Sequence, residues 1–186
     1  LDIDKLHPIR VAIDGVDGSG KTTMANELAE ELKSSNRQII RVSVDDFHNP
    51  REIRYKKGRN SPEGFYFDSF NHTAIIEYVL RPLGPNGTLQ YKQTFFDHKN
   101  NNEVASIVNK ADENSILVMD GIFLQRPELF KYWDLRIFLD VDFKSTMSRM
   151  VNRERDRNYL GSEEKIIAIN NERYMPGQKL YFKEFL

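Results

Sequence analysis

The sequence predicts an α/β fold in which a parallel sheet lies between layers of helices, a three-layer α/β/α arrangement. Apolar runs rich in β-branched residues recur at 9–13, 39–44, 116–119 and 135–139. Stretches of helical periodicity alternate with them, as a parallel sheet wrapped by helices requires. The first run passes directly into Gly15-Val16-Asp17-Gly18-Ser19-Gly20-Lys21-Thr22, a complete G-x-x-x-x-G-K-[ST] pattern. A strand before and a helix after that pattern are the context of a phosphate-binding loop, which narrows the fold to a P-loop NTPase.

Each element follows from its residues. Gly15 and Gly20 allow backbone conformations that a side chain would block, so successive N–H groups can wrap phosphates. Lys21 would lie on the β- and γ-phosphates, Thr22 would offer its hydroxyl to Mg²⁺, and the helix start would point its positive end at the anion. Gly15, Asp17, Gly18, Ser19, Gly20, Lys21, Thr22 and Thr23 are the candidate nucleotide contacts, with ATP and Mg²⁺ the expected cofactors. A helix over 21–34 places Met24, Ala25, Leu28, Ala29 and Leu32 on one face. Further helices are predicted over 71–81, 143–157 and 163–174, with Pro176 closing the last. The strands end in or just before Asp14, Asp45, Asp120 and Asp140, and open α/β sheets bind ligands at those carboxyl ends.

Residues 49–114 break the alternation. They open on Arg51, Arg54, Lys56, Lys57 and Arg59, and continue to the aromatic group Phe65, Tyr66, Phe67 and Phe70. Residues 89–96 alternate like an exposed strand, 97–103 read as a turn, and 104–108 as a second strand. We expect one domain over 1–186, with 49–114 an inserted β-hairpin segment that binds an acceptor, since loops on a rigid scaffold carry specificity.

Phosphoryl transfer needs a base or orienting group, metal ligands and cations. Asp45 is the candidate base; its alternative is a strand-end carboxylate that caps the next turn. Asp120 occupies the Walker B position, an acid after a buried strand that binds Mg²⁺ directly or through water. Arg149, Arg153, Arg155 and Arg157 suggest either a lid over the phosphates, spanning 149–162, or a solvated face paired to Glu154 and Asp156. Asn109-Lys110-Ala111-Asp112 matches a guanine-reading element but precedes a strand and lacks the upstream D-x-x-G switch, so it is assigned to a turn. The histidines His7, His48, His72 and His98 have no metal-ligand spacing, and the chain has no cysteine.

A net charge of −1 with 30% charged residues gives no global attraction to nucleic acid, and no run approaches the ~20 apolar residues of a membrane span. Without a signal-peptide profile at its start, the chain is expected to be soluble and cytoplasmic; its oligomeric state is left open.

These residues together resemble the uridine kinase and phosphoribulokinase family. Val44-Asp45-Asp46-Phe47-His48 is similar to that family's Q-D-S-F-Y element, and Asp120-Gly121-Ile122 with the strand ending Phe138-Leu139-Asp140 is similar to its E-G-I segment. The resemblance implies a kinase transferring the γ-phosphoryl of ATP to a small-molecule hydroxyl, most simply a nucleoside such as uridine, with pantothenate or a sugar-like alcohol as the alternative. From another class, a nucleotide-binding regulator would need the phosphate loop alone. By resemblance the metal would sit near Thr22, Asp45 and Asp120, Arg149 and Arg153 would belong to the lid, and His48, Phe96 and Asp97 would contact the acceptor. The hairpin keeps the family's Asp in register at Asp97, while Asn101 stands for its His and Glu103 for its Arg.

Overall fold

The computed structural model describes residues 5–105, 107–153, 158 and 161–185. The first strand, β1 (Ile9–Gly15), is buried along its whole length and enters the phosphate loop, from which α1 (Lys21–Leu32) emerges. Next come β2 (Ile39–Ser43), a short turn of 3₁₀-helix at Val44–Phe47, and α2 (Arg51–Arg54). The insertion continues through α3 (Pro62–Asp68) and α4 (His72–Ile75), which widens into a π turn at Ile76–Leu80. Asn71 caps α4 by accepting the Ala74 N–H at 2.9 Å.

Four two-residue strands follow, β3 (Gln90–Tyr91), β4 (Phe96–Asp97), β5 (Asn102–Glu103) and β6 (Asn109–Lys110). The core resumes with β7 (Ile116–Asp120), α5 (Pro127–Phe130), β8 (Leu135–Leu139) and α6 (Phe143–Asn152). Helix α7 (Glu163–Ile169) runs through a π turn at Asn170–Tyr174 into α8 (Met175–Phe185).

The central sheet is parallel in the order β2-β7-β1-β8, and its registers bring Ile13 and Ser43 level with Asp120. Alternation along β1 explains the layers. Ile9, Val11 and Ile13 pack with Ala25, Met24 and Leu28 of α1 on one face. Ala12 faces the other, joining Phe65, Tyr66, Phe70, Phe123 and Tyr181 under α3, α4 and α8. This is the three-layer α/β/α fold, with every predicted core strand in place.

Three expectations need correction. Pro176 does not close a helix, because Met175 N–H bonds Asn170 O in the π turn, so the ladder is already out of α register where the proline arrives without an N–H. Helix α6 stops at Asn152, and Arg153 is extended (φ −77, ψ 125) rather than helical, so Arg149 and Arg153 do not share a helix face. The predicted hairpin is two short ribbons, β3 with β6 and β4 with β5. Between them Lys92 N–H bonds Tyr78 O and Phe95 N–H bonds Asp46 O, so the segment spends its donors on the body of the protein instead of a partner strand. Ile107 and Val108, expected in the second strand, lie outside any strand and are exposed; Ser106 falls outside the described residues.

Candidate active site

The phosphate loop is held from below. Asp14, fully buried, accepts the N–H groups of Gly15 at 2.6 Å and Gln125 at 3.1 Å, and the hydroxyl of Tyr181 at 2.5 Å. Burial pushes its carboxyl up to about 6, a rise that the Tyr181 hydrogen bond opposes. Asp14 therefore belongs to the scaffold and not to the ligand edge where its strand-end position suggested it. Gln178 of α8 accepts the Asp17 N–H at 2.8 Å, tying the loop to the same helix.

The loop fits a nucleotide's phosphates. Gly20 sits at φ 100 with open space where a Cβ would stand, whereas a Cβ at Gly15 or Gly18 would collide with backbone oxygens at 2.8 and 2.9 Å. The first intrahelical bond of α1 is Met24 N–H to Gly20 O, so Lys21, Thr22 and Thr23 open the helix with N–H groups that have no carbonyl within it. The buried Ser19 Oγ has no hydrogen-bond partner. Lys21 Nζ folds back onto Val16 O at 2.7 Å, a weak neutral partner that phosphate oxygens would replace with a charged one. A cleft of about 680 Å³ opens beside the loop, walled by Gly18, Gly20, Thr23, Leu139, Arg149 and Arg153. Arg149 donates to Gly18 O and Ser19 O, both at 3.3 Å, so the arginine predicted for the lid rests on the loop. Arg155 and Arg157, with Glu154 and Asp156, lie outside the described residues.

The acid edge lies beside Thr22. The Thr22 hydroxyl donates to Asp120 Oδ2 at 2.6 Å, and Arg41 donates to Asp120 Oδ1 at 2.8 Å. Asp45 is exposed, while its neighbour Asp46 is pushed up to about 6 by burial and by the charges of Asp45 and Asp120. Such crowding of acids beside a hydroxyl suits Mg²⁺, which takes one or two carboxylates together with phosphate oxygens. Among the described residues no group of three His, Asp or Glu side chains forms a metal cage. Arg41 escaped the sequence reading and had no signal there, since its role depends on β2 lying next to β7; Asp46 was visible only as the neighbour of Asp45 in the element 44–48.

On the side expected to hold the acceptor, His48 Nδ1 lies 2.9 Å from Asp45 O, and its ring lies against Phe70 at 4.6 Å and His98 at 4.5 Å between centroids, tilted to both. Burial lowers His48 to about 4, so it is neutral near pH 7. Phe96 is buried at the ribbon. Asp97 turns its carboxylate onto its own turn, accepting Lys99 N–H at 2.9 Å, Asn100 N–H at 3.2 Å and Asn100 Nδ2 at 2.6 Å. Asn101 accepts the Arg51 N–H at 2.8 Å and donates to Glu52, pinning the turn to α2. The structure thus brings Thr22, Lys21, Asp120 and Arg149 to the loop, and His48 to Asp45. It gives Asp97 a turn-forming role.

Among relatives, the chain is 27% identical over 151 residues to Uridine-cytidine kinase B of Dictyostelium discoideum, covering 80% of this chain and 59% of that protein. It is 28% identical over 152 residues to a Uridine kinase of Clostridium novyi, covering 80% of this chain and 69% of that one. In fold it matches a structure described as a possible uridine kinase from Bacillus stearothermophilus, with TM-score 0.74 and 21% identity over 98% of this chain and 85% of that one. A D-glycerate 3-kinase from Cryptococcus neoformans superposes with TM-score 0.63 at 13% identity, over 96% of this chain and 81% of that one. The description "Phosphoribulokinase / Uridine kinase family" matches residues 10–184, and the chain belongs to that family.

Proposed function

We propose that the protein is an ATP-dependent kinase of a small molecule, with a nucleoside-like polyol as acceptor. The observation that carries this reading is the assembly of two sites at one sheet edge. A phosphate loop with an unpartnered Ser19 hydroxyl and a poorly paired Lys21 lies beside Asp120 and Thr22, and Asp45 stands at the end of the neighbouring β2. A nucleotide switch would need only the first of these.

In the reaction, Asp45 takes the proton of the acceptor hydroxyl as its oxygen bonds the γ-phosphorus, and the bond to the bridging oxygen of ADP breaks. Lys21 and the N–H groups at the start of α1 hold the phosphates, and Arg149, which donates to the loop carbonyl of Gly18, would neutralise the transferred charge. Mg²⁺, held by Thr22 with Asp120 and Asp45, would supply charge neutralisation when bound. The lid over 149–162 would exclude water, so that ATP is not hydrolysed.

Acceptor-dependent ADP release under saturating Mg-ATP tests this, with uridine, cytidine, 2′-deoxyuridine and pantothenate as acceptors. Turnover on ribonucleosides with weak base preference supports the nucleoside reading, and turnover on pantothenate alone replaces it with the other alcohol. ADP release that ignores every acceptor rejects the kinase.

A further inference from the structure

We propose that Gln178 is a positioning residue for the phosphate loop, and that the helix carrying it, α8, links the loop to the inserted segment so that filling one site strengthens the other. This rests on the kinase reading, in which the insertion receives the acceptor.

Residues 172–184 grip both sites. In the π turn, Arg173 donates to Arg59 O, and Glu172 accepts from Asn60 Nδ2 at 2.8 Å. One turn on, Gly177 lies against α3, where a Cβ would stand 2.7 Å from Phe65 Cδ1 and 2.9 Å from Pro62 O. At the far end Glu184 accepts the Tyr66 hydroxyl. All of these partners belong to the insertion. Between them, Gln178 Oε1 accepts the Asp17 N–H at 2.8 Å, and the Tyr181 hydroxyl donates to Asp14 at the root of the loop. Positions 177 and 184 fall on one stripe of the helix and 178 and 181 on the next, so one element carries both sets.

The shortest path runs through Gln178. Its side chain is 2% exposed, and its Nε2 donates to Tyr174 O at 2.9 Å, which fixes the amide with Oε1 aimed at Asp17. The Tyr174 ring in turn lies 4.8 Å from that of Phe65 in α3. Close-packed contacts have little slack, so a shift of α3 moves Gly177 and Tyr174, and with them the amide that holds the loop. No residue of α3 lines the cleft beside the loop. A nucleotide that orders Asp17, Gly18 and Ser19 thereby steadies α8, and the acceptor then meets an α3 already in place, which makes the coupling positive.

The test follows amide hydrogen exchange with and without saturating Mg-ADP, a probe that needs no acceptor. In the parent, Mg-ADP should slow the amides of 65–68 by about 5-fold or more beyond any slowing in β2. Gln178→Met keeps the volume and removes the accepting oxygen, so it should bind Mg-ADP yet lose that extra slowing. Gly177→Ala, which crowds Phe65 and Pro62 rather than the loop, should weaken Mg-ADP binding by about 5-fold or more. Should Gln178→Met fail to fold, the parent's exchange pattern and Gly177→Ala still decide. Slowing no greater in α3 than in β2, extra slowing that survives Gln178→Met, or an unchanged Mg-ADP affinity in Gly177→Ala overturns the proposal and leaves the kinase standing. ADP release from ATP that ignores every acceptor rejects the kinase reading and with it the acceptor's share of the link, while the exchange result stands by itself. A parent that binds no Mg-ADP removes both.

Discussion

The two halves of the site are built on different principles. The nucleotide half is one continuous stretch locked from beneath: Asp14, Gln125, Tyr181 and Gln178 satisfy one another and the loop, leaving Ser19 Oγ and Lys21 ready for phosphate. The proposed acceptor half is assembled from distant pieces, His48, Phe70 and His98, held by tilted ring contacts and by bonds to a ribbon that breaks in the middle. The difference teaches where change is tolerated. A loop that must cradle phosphates needs a pre-set backbone, whereas an acceptor pocket can be rebuilt by exchanging side chains on short elements.

That contrast can be broken by substitution, and the largest effect should fall where the halves meet. Asp45→Asn should cut phosphoryl transfer by ~10²-fold or more while ATP affinity stays within a few-fold, as measured by turnover and nucleotide titration. Normal turnover in this variant would make Asp45 a turn cap.

Beneath the loop, the effect should depend on pH. Asp14 rises from 3.8 to about 6 in the folded protein, so between those values the native state binds the extra proton and stability falls as pH rises. Relative to the parent, Asp14→Asn should gain up to about 3 kcal/mol between pH 4 and pH 8, read from denaturant unfolding. A constant difference across that range would remove the buried carboxylate from the account.

Lys21→Ala should abolish the stabilisation of about 2 kcal/mol that ATP at roughly thirty times its Kd confers. Equal melting shifts in variant and parent would reject the phosphate loop as the nucleotide site. The smallest effect belongs to Asp97, whose oxygens are engaged by Lys99 and Asn100. Asp97→Asn should change kcat/KM by only a few-fold, since Asn can keep part of the turn, and a loss near that of Asp45→Asn would return Asp97 to the sugar contacts that its register suggests.

The fold was legible wherever burial alone decides structure. Residues 9–13, 39–44, 116–119 and 135–139 read as strands because their apolar side chains leave water, fully along 9–13 and 116–119 and in part along 39–44 and 135–139, and the glycines and lysine of the loop lie in one stretch with one chemistry. The hairpin was misread because its pattern is local while its hydrogen bonds are not: Phe95 N–H goes to Asp46 O, far back in the chain. Pro176 was misread for the same reason, since a π turn upstream had already shifted the ladder. Arg41 and His98 carry no motif. Their significance comes from β2 lying against β7 and from the ribbon turn resting on α2, which spacing along the sequence does not encode.

The central claim is that the two halves act together, so that the phosphoryl group leaves ATP only for an organic hydroxyl. The direct measurement follows the label of γ-labelled ATP through a reaction with Mg²⁺ and the acceptor panel, separating organic phosphate esters from inorganic phosphate. Label on an acceptor, dependent on acceptor concentration and absent with Lys21→Ala, is the predicted result. Label recovered only as inorganic phosphate, at a rate indifferent to any acceptor, would contradict it.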